Sequence, residues 1–263
     1  MIHIFYPAGG FGSTIEFVLR QTSVEYFDSN LNNVNFSSDG SMHNFRKLNH
    51  LIWKEDFLKI PNMIGSITTP VYPGFDQTAQ EAVDTLLSVV NKHDKVVFVK
   101  LNSIEDYLFC VYLSLYKTPL YKHKLENKNL PIWDEREIAA LKLAHKNFIN
   151  LKTDDYWITV NYSDIISNFS NTMKTIIDRL HLSMKNESRL EEISLNFTRA
   201  NQTYINRFKI IKDYVKNRNV FLPEDFTLYE EIIIHTWLIL DGFDLKCYNL
   251  KKLPADPREL EFV

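Results

Sequence analysis

The sequence predicts one α/β domain, a mostly parallel central sheet flanked by helices, with residues 188–263 forming a helical C-terminal extension packed on it. Three observations carry that prediction. Short β-branched or aromatic runs alternate with stretches of helical periodicity from residue 2 to residue 182. One run, Val96-Val97-Phe98-Val99, has no polar interruption, as a strand covered on both faces requires. Beyond Ser188 the pattern turns helical. Strict alternation favours parallel strands joined by right-handed crossovers, with helices on both faces of the sheet.

Taken in order, Ile2-His3-Ile4-Phe5-Tyr6 reads as a buried strand, Pro7–Gly12 as a loop and Ser13–Thr22 as a helix with Ile15, Phe17, Val18 and Leu19 inward. From Phe27 to Asn49 the composition turns to Asn, Ser, Asp and Gly, the signature of a long loop. Met63–Ile67 is a second strand, and Gln77–Asn91 has helical spacing. Lys95–Leu101 is the clearest strand, followed by a helix over Ile104–Tyr116. Asp134–Leu151 reads as a helix, Tyr156–Val160 as a fourth strand and Asp164–Leu182 as the helix after it. The extension carries helices over Glu191–Asn217 and Tyr229–Leu240.

With 263 residues, 45% of them hydrophobic, the chain can bury a substantial core. Its net charge of -3 gives no global pull toward nucleic acid or an anionic membrane, so an anion must be held by a local site. Cys110 and Cys247 make no CxxC pair and no metal-ligand spacing with histidines, and both read as core residues. No metal, nucleic-acid or membrane partner is expected, and the absence of a leader-like segment or membrane span makes the cytoplasm the expected location. Trp53, Trp133, Trp157 and Trp237 read as core.

Three of the 7 glycines fall in Pro7-Ala8-Gly9-Gly10-Phe11-Gly12-Ser13-Thr14, between the first strand and the first helix. Glycine lets a backbone wrap closely around an anion, and the first helical turn supplies unpaired N–H groups and the positive dipole end. Gly9, Gly10, Phe11, Gly12, Ser13 and Thr14 are therefore the candidate phosphate contacts, in a fold of the P-loop nucleotide-binding type. The simpler reading is a tight turn with Ser13 as helix N-cap. The segment does not match GxxxxGK[ST]: Pro7 stands at the first glycine and Ser13 at the lysine, which disfavours a P-loop kinase.

Two segments resemble the sulfotransferases that use 3'-phosphoadenosine 5'-phosphosulfate (PAPS). The first is Phe5-Tyr6-Pro7 through Gly12-Ser13-Thr14, similar to the family's donor-phosphate loop. The second runs from Trp157 through Tyr162-Ser163-Asp164-Ile165 to Ile177-Asp178-Arg179-Leu180-His181-Leu182. It is similar to the family's Tyr-Glu-Asp-Leu box and Phe-Leu-Gly-Leu helix end. A third, Val97-Phe98-Val99-Lys100 with the helix after it, resembles the part that contacts the 3'-phosphate; the resemblance implies Lys100 for the cation and Ser103 or Ser114 for the hydroxyl. The family's loop carries a lysine or arginine between Pro and Gly, whereas this one has Ala8, Gly9, Gly10 and Phe11.

The resemblance implies PAPS as co-substrate, no metal, and a small-molecule or glycan acceptor with a hydroxyl or amine. Sulfuryl transfer needs a base beside the acceptor and donors for the charge developing on the SO3 group. Glu16, in the first helix, is one candidate base; His43, with Asp39 in the polar loop, is the other. Arg199 and Arg207, on one predicted helix, are candidate nucleotide contacts. The alternative is a catalytically degenerate nucleotide- or anion-binding protein of the same fold.

Overall fold

The structure, a computed structural model, describes residues 1–7, 9–29, 64–69, 90, 93–117, 135–150, 155–217 and 226–242. Strand β1 spans Ile2–Pro7, β2 Ile64–Thr69, β3 Lys95–Lys100 and β4 Ile158–Asn161. Helix α1 spans Gly12–Thr22, α2 Ile104–Lys117, α3 Glu135–Ile149, α4 Tyr162–Ser167, α5 Phe169–Arg179, α6 Glu187–Lys216 and α7 Leu228–Leu240. The predicted helix over 77–91 lies outside the described residues, apart from Val90.

The four strands form one sheet in the order β2-β1-β3-β4, and every pair is parallel. In register, Ile4 faces Val97, Phe5 faces Phe98 and Lys100 faces Asn161. The chain leaves β1 toward β2 on one side, then crosses back over β1 to enter β3. The carboxyl ends of β1 and β3 are thus the place where the winding reverses, which in open parallel sheets is where a crevice forms.

Strand periodicity divides the core. Ile2, Ile4 and Tyr6 of β1 join Val97 and Val99 of β3 in one cluster, to which every described helix contributes. Phe5, Val96 and Phe98 turn the other way with Trp157, the Phe5 and Phe98 rings stacked at 5.2 Å, and Val90 packs against them. Burying each such side chain stabilises the fold by about 1.5–3 kcal/mol. Helices on both faces were expected; the described ones all belong to the first cluster. Trp157, Trp237 and Cys110 are buried, as core residues should be.

The single helix predicted over 164–182 is two helices. Asn168, at φ -148 and ψ 58, breaks the run. The Asn168 N–H bonds to the Asp164 carbonyl, and the Thr172 hydroxyl donates to the carbonyls of Asp164 and Asn168, so the freed backbone groups keep partners. Helix α6 starts four residues before the predicted Glu191, because Asn186 caps it by accepting from the Arg189 N–H. Its 30 residues extend about 45 Å, long enough to reach from α5 past α1 to α2 and α7.

Candidate functional site at the carboxyl ends of β1 and β3

The β1–α1 connection is a tight turn. The Gly10 N–H closes it on the Pro7 carbonyl at 2.7 Å, and Gly9 takes φ +82. A Cβ at Gly9 would sit 2.5 Å from the Cys110 carbonyl oxygen of α2, and one at Gly12 would sit 1.9 Å from the Tyr6 ring. A Cβ at Gly10 would sit 2.7 Å from the Pro7 carbonyl oxygen, so all three glycines are required by close packing against the protein's own atoms. Substitution of Gly12 would break the fold before it tested any ligand.

The residue at the N-cap of α1 is Phe11, not Ser13. Phe11 lies at φ 61, ψ 16 and bonds its carbonyl to the Ile15 N–H. No side chain caps this helix, so the N–H groups of its first turn are left for the backbone or a ligand. The Phe11 ring is buried, stacked on Tyr162 at 5.7 Å and edge-on to Phe197 of α6 at 4.9 Å. Phe11 therefore acts as an anchor of the loop. Ser13 and Thr14 are 4% and 1% exposed, so these candidate contacts are buried.

Below the turn, the Tyr162 hydroxyl donates to the Gly9 carbonyl at 3.2 Å. Burial pushes both this hydroxyl and the Cys110 thiol well above their ordinary pKa, and the two are hydrogen-bonded to each other. Both stay neutral, and the thiol is a fixed member of the loop's support. Sequence reasoning placed Tyr162 in a box of family resemblance without seeing this contact, since Gly9 and Tyr162 are 153 residues apart.

Lys100 ends β3 beside Asn161 of β4, and makes no hydrogen bond or ion pair among the described residues. Strand alternation puts it on the face of Val96 and Phe98, opposite the face covered by α1. Ser103 accepts from the Asp106 N–H at 3.1 Å and so caps α2. Burial raises the pKa of Asp106, against the bonds its carboxylate and backbone make with Asn102 and Ser103. Ser114 is the hydroxyl beside the loop: a Cβ on Gly9 would lie 3.1 Å from its Oγ.

Glu16 is 4% exposed and paired with Arg20, whose Nε donates to Oε1 at 3.1 Å. This i,i+4 pair occupies the carboxylate that the base assignment needs. His43 and Asp39 lie outside the described residues. Arg207 is held by Glu230 through two bonds, of 2.6 and 2.7 Å, and Arg199 is exposed on α6. A polar chain that sequence reasoning missed ties the carboxyl edge together: Asn102 Nδ2 donates to Asn161 Oδ1, and Asn161 Nδ2 to Asp164 Oδ2, both at 2.8 Å.

Among the described residues no group of three or more His, Cys, Asp or Glu side chains could hold a metal ion, and no helix is long and apolar enough to cross a membrane. Compared with protein-family models, curated proteins and solved structures, the chain matches none.

Proposed function

We propose that the chain is a PAPS-dependent sulfotransferase-like protein of the P-loop type, binding its donor nucleotide where β1 turns into α1. The observation that carries this reading is the uncapped N-terminus of α1, set by a tight glycine turn at the carboxyl end of a central parallel strand, beside the reversal point of the sheet. In this reading the N–H groups of Gly12, Ser13 and Thr14 hold a donor phosphate with the Ser13 and Thr14 hydroxyls, and Ser114 stands beside them. Lys100 serves the second phosphate from the end of β3.

A feature of the second resembling segment supports the same reading. Where the family's helix end has Gly, this chain has His181, and His181 takes φ 52, the left-handed conformation that favours glycine. The backbone there keeps the form that the family's residue would require.

Glu16 favours a second reading, binding without transfer. Its carboxylate is held by Arg20, and the loop has no lysine or arginine to meet the leaving phosphate. Calorimetric titration with 3',5'-adenosine bisphosphate in magnesium-free, low-salt buffer tests the site common to both. Saturable binding is expected, weakened about fivefold or more by Thr14→Val, which removes one hydroxyl at nearly constant volume. Magnesium-dependent ATP binding without bisphosphate binding would instead favour a kinase. No bisphosphate binding at all ends the donor assignment, and a sulfuryl-transfer assay on the binding-competent protein separates enzyme from binder.

A further inference from the structure

A described cavity is lined by strand β4 and helix α5. It encloses about 260 Å³. Its lining combines apolar Ile158, Val160 and Ile176 with polar Asn161, Asn171 and Thr175. Strand β4 is the edge of the sheet among the described residues, so one side of its backbone has no neighbouring strand there. On that side the Thr159 carbonyl is met by the Arg179 guanidinium, at 3.4 Å, a long and weak contact.

We propose that this groove accepts a short extended peptide, added to β4 as an antiparallel strand, with a basic N-terminal end and an acidic C-terminal end. Edge strands beside a helix are natural receivers of such segments: the strand supplies backbone hydrogen bonds and the groove sorts alternate side chains. An exposed opposite charge lines each end. Asp164 lies at the α4 end, where Asn168 bonds its carbonyl, and Arg179 lies at the far end of α5, beside Thr159. An antiparallel partner of β4 runs from the Asp164 end toward Arg179, which sets the order of its charges. Four extended residues span about 13 Å, the length of the four-residue β4. An incoming N–H replaces Arg179 at the Thr159 carbonyl and releases the guanidinium for the peptide's carboxylate.

The test uses the full chain and two fluorescently labelled peptides, Lys-Thr-Val-Thr-Val-Glu and its charge-reversed counterpart Glu-Thr-Val-Thr-Val-Lys. Fluorescence anisotropy is expected to show saturable binding of the first, at least tenfold tighter than the second. The double variant Asp164→Lys/Arg179→Glu should invert that order. Both residues are exposed, so the exchange leaves the core intact, which circular dichroism checks. Hydrogen exchange of the Thr159 and Asn161 amides should slow on adding the first peptide. Absence of saturable binding up to about 1 mM, equal affinity of the two peptides in wild type, or binding without amide protection on β4 would each overturn the proposal. None of these results depends on the nucleotide titration.

Discussion

His181 holds a left-handed conformation that a residue with a Cβ adopts at a cost. It ends α5 in a reciprocal pair of bonds, Leu182 N–H to the Ile177 carbonyl at 3.0 Å and His181 N–H to the Asp178 carbonyl at 2.9 Å. This is the arrangement in which glycine is preferred at the left-handed position. His181→Gly should therefore stabilise the protein, by roughly 0.5–1 kcal/mol after the added flexibility of glycine in the unfolded chain is offset. The urea midpoint would rise with unchanged slope; a fall would mean that the imidazole makes a contact worth more than the strain. Phe11, the other non-glycine residue at positive φ among the described residues, offers no such gain, because its ring is packed between Tyr162 and Phe197 and a glycine would empty that space.

Helix α7 illustrates why elements were more legible in the sequence than sites. Its apolar run, Ile232-Ile233-Ile234 with Trp237, announces a buried helix, and its boundary differs from the prediction by one residue. The same periodic signal located β1, α1, β3, α2 and α6 to within a few residues. What sets the start of α7 is less visible. Thr227 and Glu230 form a reciprocal cap, the Thr227 N–H donating to Glu230 Oε2 at 2.7 Å, and Arg207 from α6 grips the same carboxylate. Burial pushes the Glu230 carboxyl up, but the bonds from Arg207 and Thr227 outweigh it and hold its pKa below the usual glutamate value. With Glu230 1% exposed, Arg207→Leu should cost about 3–5 kcal/mol by leaving a buried charge without its partner. Adding Glu230→Leu should then cost little more or recover part of the loss. Strict additivity in this double-mutant cycle, followed by urea unfolding, would show that the two side chains act independently. Arg207 read as a nucleotide contact in the sequence because its partner lies 23 residues away on another helix, a distance that periodicity does not report.

At the scale of the whole molecule, sheet order and the burial of the glycine turn are products of long-range pairing. Local pattern predicted parallel strands but could not place β1 between β2 and β3, nor put Phe197 over Phe11. The same packing buries His3 and His235 and half-buries His145, in three separate parts of the fold. Burial lowers the pKa of His3 on β1 despite its bond to Asp94, lowers that of His145 on α3 against the pull of Asp241, and takes His235 on α7 down to about 3. In the unfolded chain all three titrate near 6.5. Between the lowered folded values and 6.5, the unfolded state binds more protons than the folded one. Stability therefore rises with pH in that window: it is fully present above about 6.5 and is lost as pH falls through the folded values. Each histidine contributes at most about 1.4 kcal/mol per pH unit there, and Glu230, with its lowered carboxyl pKa, adds a loss that begins only below its unfolded value of 4.5. Urea midpoints measured from pH 7.5 to pH 4.5 should thus start to fall near pH 6.5, before carboxylates titrate. His235 should supply the longest part of the decline, so His235→Phe should flatten it, whatever that variant's stability at pH 7.5. A midpoint that stays level to pH 5 in the wild type, or an unchanged slope in His235→Phe, would mean that protonation opens these sites locally without charging the folded core.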